Sequence, residues 1–179
     1  TPAKKALCTI MVAFAADPLT RWVLPQADMY LTHGISIFDP FEPAVLTLVP
    51  PTRYSALSAA LWAPPHHKDR DEAAPGAFGQ SLQMIVAPER LDGVTRMLDE
   101  MHSYHPLEPC WYLPFLGVDP RHQGQRCSAK LMKCALAQCN AQGLLAYLES
   151  SNPADIALCE RHGFKLMGRN QSASSPPVN

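Results

Sequence analysis

With 179 residues, 47% of them hydrophobic and 17% charged, the chain has the composition of one folded domain, not of a disordered or polyelectrolyte segment. A formal net charge of −1 offers no bulk attraction to nucleic acid or to an anionic membrane surface. No run of about 18 apolar residues could span a bilayer. The six cysteines form no C-x-x-C pair, so they read as reduced core side chains of a cytoplasmic protein, without a disulfide framework or zinc site.

In chain order, Thr1 and Pro2 can open a helix over residues 3–16, with Leu7, Ile10, Met11 and Phe14 as its apolar stripe. Lys4 and Lys5 before apolar residues imitate a signal peptide, but the amphipathic pattern fits a helix better. Asp17-Pro18 ends it, because proline disfavours helical geometry at the preceding residue. A short helix is expected over 26–33, then two strands over 45–49 and 56–62 joined by a turn, with Pro50-Pro51 and Pro64-Pro65 as stops. Residues 66–76 are polar and proline-bounded, as in a surface loop, and 77–86 suit a helix. After Pro88, the residues Leu91, Val94, Met97, Leu98, Met101 and Tyr104 recur at spacings of three and four until Pro106. A strand over 110–118, a helix over 124–140, a strand over 144–149, a helix over 153–162 and a final strand over 164–168 complete the series. His102 and His105, three residues apart, read as a solvated pair, and no His or Cys spacing supports a metal. Residues 1–170 are expected to form one domain, and the serine- and proline-rich segment 171–179 a disordered tail.

The most informative stretch is 111–126. An apolar strand reaches Val118, stops at Asp119-Pro120, and passes through a glycine turn into a helix. That layout sets free backbone N–H groups and a helix N-terminus at the end of a buried strand, a place suited to a pyrophosphate. The plainer alternative is a strand–turn–helix with a solvated Arg-His-Gln tip. A second cluster follows, Tyr-Leu-Glu-Ser-Ser-Asn-Pro at 147–153 and Cys-Glu-Arg-His-Gly-Phe at 159–164. Together these segments resemble the acyl-CoA-binding half of the GNAT superfamily of N-acetyltransferases, and within it the bacterial, puromycin acetyltransferase-like group.

The resemblance implies an α/β (α+β) acyltransferase fold, a twisted mixed central sheet with helices on both faces. It implies transfer of an acetyl group from acetyl-CoA to a primary amine of a small molecule or peptide, by direct attack in a ternary complex and without metal. Homodimer formation is left open. The cofactor site it implies comprises Leu116, Gly117 and Val118 on the strand, Arg121, His122, Gln123, Gly124, Gln125, Arg126, Cys127 and Ser128 at the turn and helix start, and Asn152. Glu149, at a strand end, would take the amine's proton directly or through water, against the plainer reading of a solvated strand-end glutamate. Relatives carry a tyrosine that protonates the departing thiolate where this chain has Cys159, a shorter acid that reads first as a structural cysteine. Arg126 likewise stands where relatives have a small residue, and Ser128 where a second glycine is common. These departures support an alternative, a catalytically weakened acyl-CoA-binding or interaction module. Asp17 to Trp22 also match the group, and Trp22, Tyr30 and Trp111 are candidates either for an acceptor pocket or for aromatic core packing. The family's opening and closing strands have no counterpart, which implies truncation at both ends.

Overall fold

The computed structural model describes residues 2–41, 45–47, 58–65, 78–172 and 174–179. Thr1, the turn between the first two strands and the 66–76 loop lie outside these residues. Helix α1, Pro2–Ala13, is followed by three short helices: α2, Pro18–Val23; α3, Ala27–His33; and α4, Ile35–Phe38. Strands β1, Val45–Thr47, and β2, Ser58–Ala63, come next. Residues 78–85 form helix α5, and Pro88–Ser103 form α6. Strand β3, Cys110–Val118, leads into α7, Cys127–Gln142, and β4, Leu145–Leu148, into α8, Pro153–Arg161. Among the described residues no helix is long and apolar enough to cross a membrane.

The strands form one mixed sheet in the order β1-β2-β3-β4. Its first two pairings are antiparallel and the third is parallel. The parallel pair is joined through α7, as a crossover between parallel strands requires. Because successive strand residues point to opposite faces, β2 supplies both cores. Ala59 and Leu61 pack with Leu7 and Ile10 of α1, with Phe38, and with Val94 of α6. Ala60 and Trp62 face the other way, against Met132, Ala135 and Cys139 of α7. Helices therefore cover both faces of the sheet, as expected.

Strand β3 changes face partway along. Leu61 lies opposite Phe115, but Ala63 lies opposite Tyr112, so β3 carries one residue more than β2 over that interval. Pro114 sits within it. Proline has no N–H to give a ladder, and bulges are among the few sheet positions that accept it. The extra residue resets the alternation: Trp111, Leu113 and Leu116 pack on the α7 side, whereas Phe115 joins the α1 side. Beyond the bulge, Gly117 lies directly under α1. A Cβ there would stand 2.8 Å from the Ala13 Cβ and 3.2 Å from the Ile10 Cα, so only glycine allows this approach.

Two expectations need correction. Residues 164–168 do not form a strand. The segment 171–179, expected to be disordered, is packed in its described part. Asn170 and Val178 exchange backbone hydrogen bonds of 2.7 and 2.8 Å, and Asn179 exchanges two of 2.9 Å with Ser150. The Asn170 side chain donates to the Met97 carbonyl, and the Ser175 hydroxyl to the Met97 sulfur. Serine-rich composition hid these bonds; Val178, 3% exposed, supplies the apolar burial that anchors them.

Candidate active site

The site grows from a divergence between β3 and β4. Their parallel pairing runs from Cys110↔Leu145 to Leu113↔Leu148 and stops. β3 continues to Val118, while the chain after β4 turns away through 149–152 into α8. Among the described residues, no strand pairs with β3 on that side beyond Leu113. In an antiparallel pair, alternate residues direct both N–H and C=O away from the partner. Part of the β3 backbone over 114–118 therefore faces an open cleft of about 720 Å³.

One end of the cleft is the turn after β3. Asp119 caps it: its Oδ1 accepts from the Arg121 backbone N–H at 2.9 Å and from Arg121 Nε at 3.1 Å, and Oδ2 lies 2.6 Å from Nη2. The side-chain and backbone donors of Arg121 hold the Asp119 carboxyl at about 2, below its ordinary 3.8. Ionised Asp119 is thus favoured by folding. Its contribution is complete above about 4 and is lost as pH falls through about 2. The melting-temperature gap between wild type and Asp119→Asn is expected to be widest above pH 4 and to shrink towards pH 2, as followed by calorimetry across that range.

Gly124 has φ +77°, and Arg126, at the N-cap of α7, has φ 62° and ψ 22°. Left-handed backbone suits glycine and strains an arginine by roughly 1–2 kcal/mol. Beyond the bend, the first N–H groups of α7 lack intrahelical partners, as at any helix start, and point towards the turn with the positive end of the helix dipole. Arg126→Gly is expected to stabilise the fold by about 0.5–1 kcal/mol, because strain relief exceeds the added chain entropy. Denaturant unfolding checks this.

At the cleft's other wall, the Glu149 side chain is 10% exposed and its Oε1 lies 2.8 Å from His105 Nε2. The His105 ring sits 4.6 Å from the rings of both Tyr112 and Tyr147, which are cross-strand partners. Burial, then the charge and hydrogen bonding of Glu149, push both phenols well above their ordinary range, so they remain neutral donors. Glu149 also lines a second cavity of about 620 Å³ over the free edge of β4, walled by Tyr104, Phe164, Leu166 and Met167. Cys159 lines both cavities. Burial first, then Asp155, raises its thiol to about 11, so it stays protonated at neutral pH and is a poor nucleophile.

The structure brings most of the sequence-predicted residues to one place. Leu116, Gly117, Val118, His122, Gln123, Gly124, Arg126, Cys127, Ser128, Asn152, Glu149 and Cys159 all line the larger cleft. Arg121 and Gln125 do not, since Arg121 is turned back onto Asp119. Asn152 caps α8, its Oδ1 accepting from the Ala154 N–H at 3.1 Å. Trp22, Tyr30 and Trp111 line neither cavity. Tyr30 and Trp111 are buried, with the Tyr30 hydroxyl donating to the Met11 carbonyl and the Trp111 indole to Gln142.

Sequence reasoning missed two contributors. His105 is not half of a solvated pair: it bonds Glu149 across 44 residues of chain, a partnership that no local spacing reveals. Asp17 was read as a helix stop and as the start of a segment that matches the group, without a partner for its side chain. It accepts from the Thr20 N–H at 2.8 Å and from the Ser151 hydroxyl, tying the start of α2 to the turn after β4.

Known proteins resemble this chain in sequence and in fold. The model of the acetyltransferase (GNAT) family matches residues 62–164. An uncharacterized N-acetyltransferase of Schizosaccharomyces pombe is 29% identical over 111 residues, 62% of this chain. The match spans only 40% of that protein's length. A crystal structure of histone acetyltransferase HPA2 and related acetyltransferase from Corynebacterium glutamicum superposes with a TM-score of 0.68. It covers 98% of this chain and 87% of that one at 21% identity, a likeness of fold. The chain belongs to the GNAT family of acetyltransferases, whose members use acetyl-CoA as cosubstrate.

Proposed function

We propose that the protein acetylates a primary amine by direct attack of the amine on acetyl-CoA in a ternary complex. The observation that carries this reading is the position of Glu149 where β3 and β4 part, on the wall of both cavities. A carboxylate at the junction can take a proton from an ammonium group in one cavity beside a thioester in the other. The residues present suit the cosubstrate. A Cβ at Gly124 would meet nothing within 4 Å, leaving room for an anion against the left-handed bend and the α7 N-terminus.

Gly124, Arg126, Cys127 and Ser128 would hold the diphosphate, and the unpaired β3 backbone near Leu116 to Val118 the pantetheine arm. Acetyl-CoA supplies an acyl group already activated as a thioester. Glu149 removes the amine's proton, and holding both substrates in one cleft provides most of the rate gain. Cys159, on the cleft wall, would give the leaving thiolate its proton, as a weaker acid than an ordinary thiol because burial raises it to about 11. Among the described residues no group of three His, Cys, Asp or Glu side chains could hold a metal ion, and the reaction as written needs none. The 147–153 and 159–164 motifs support assignment to the bacterial, puromycin acetyltransferase-like group.

The strained Arg126 and the short Cys159 favour a second reading, an acyl-CoA-binding module with weakened turnover. Acetyl-CoA thermal shift combined with CoA release tests both, with puromycin, spermidine and an unblocked tripeptide as amines. Amine-dependent release supports the enzyme. A raised melting temperature without release supports the module, and no shift at all sinks both.

A further inference from the structure

We infer that His105 is a positioning residue, holding Oε1 of Glu149 so that the carboxylate keeps one orientation at the wall of the cleft where the acceptor amine would bind. The inference rests on the acetyl-transfer reading above. It starts from a contact between distant segments: His105 lies just past the end of α6, Glu149 just past the end of β4, and their side chains meet at 2.8 Å. An ionised carboxylate only accepts, so Nε2 must carry the proton and donate to Oε1.

The imidazole is itself held. Tyr112 and Tyr147 sit against it at 4.6 Å each, with ring planes at 64° and 57° to its own. These tyrosines come from adjacent strands in register, so the ring is fixed by the sheet rather than by a mobile loop. His105 lines neither cavity, whereas Glu149 lines both. The histidine therefore stands behind the carboxylate and acts through it. Without this donor, the carboxylate keeps the hydrogen bonds of the Tyr112 and Tyr147 phenols but loses the one that fixes Oε1. A proton acceptor must be within hydrogen-bond reach of the proton it takes, so a loosened carboxylate lowers turnover more than substrate binding.

The test uses two substitutions that keep bulk at the site. His105→Phe preserves ring packing against the tyrosines but removes the donor, and His105→Gln restores an N–H near the Nε2 position. With whichever of puromycin, spermidine or the tripeptide the wild type acetylates, His105→Phe is expected to lower kcat about 10- to 100-fold. KM for acetyl-CoA should stay within about twofold, since His105 touches no cosubstrate wall. His105→Gln should recover most of the loss. In a Glu149→Gln background, His105→Phe should add almost nothing, because two residues acting through one carboxylate are not additive. A merely structural histidine would give equal losses for Phe and Gln, or the same further loss with Glu149 removed, and either result overturns the inference. Full activity in His105→Phe overturns it too. If the wild type acetylates none of the amines, the acetyl-transfer reading fails first and this inference with it, a result separable from the others because no variant is then needed.

Discussion

Glu149→Gln is expected to reduce kcat for amine acetylation by about 10²- to 10⁴-fold, the usual range for loss of a positioned general base. The amide is nearly isosteric and can still accept from His105, so the packing around Tyr112 and Tyr147 should survive. Acetyl-CoA binding should also survive, because the turn and the α7 N-terminus that would hold the diphosphate lie at the other end of the cleft from the His105 pair. The predicted signature is a fall in kcat with an unchanged thermal shift on adding acetyl-CoA. A variant as fast as wild type would show that water or another group removes the proton.

The largest effect on stability is expected at Phe38, fully buried in the core on the α1 side of the sheet. Its ring lies 5.8 Å from that of Phe14 and 5.0 Å from that of Phe115, edge to face with the latter. Phe41 meets Phe115 from another side at 5.0 Å. Removing the central ring by Phe38→Ala deletes buried contacts and leaves a cavity, at about 3–5 kcal/mol. For a chain of this size that corresponds to a melting temperature lower by roughly 10 °C. Phe14, Phe41 and Phe115 also wall the cleft, so KM for acetyl-CoA should rise as well. Calorimetry and steady-state kinetics on the same preparation would separate the two effects.

Much of this architecture was legible in the chain because local signals agreed. Proline breaks and spacings of three and four located α6 through Val94 and Met97, and the apolar run 110–118 became β3 with the bounds expected. The turn after β3 was legible because Pro120 fixes its own φ and Gly124 accepts the left-handed backbone that the bend requires. Less could be read where the structure depends on distant partners. The His105–Glu149 bond joins residues that only the parallel pairing of β3 and β4 brings together. Residues 164–168 have strand-like composition, yet strands need a partner, and none pairs with them among the described residues. The described part of 171–179 failed for the opposite reason, since its order comes from hydrogen bonds to Met97, Ser150 and Asn170 rather than from its own propensities. Pro114 was a readable signal left unread: proline within a nine-residue strand already argued for a bulge.

That single supernumerary residue separates two duties within β3. Upstream of it, Trp111 and Leu113 anchor the helix that carries the cleft's anion-facing end; downstream, Phe115 belongs to the opposite core and Gly117 sets how near α1 can come. Substitutions at Phe115 thus act on the α1-side core and the cleft wall, while the α7 anchorage rests on Trp111, Leu113 and Leu116. Excising the proline would make the ladder with β2 regular and leave both halves facing as they do, with Phe115 towards α1 and Leu116 towards α7.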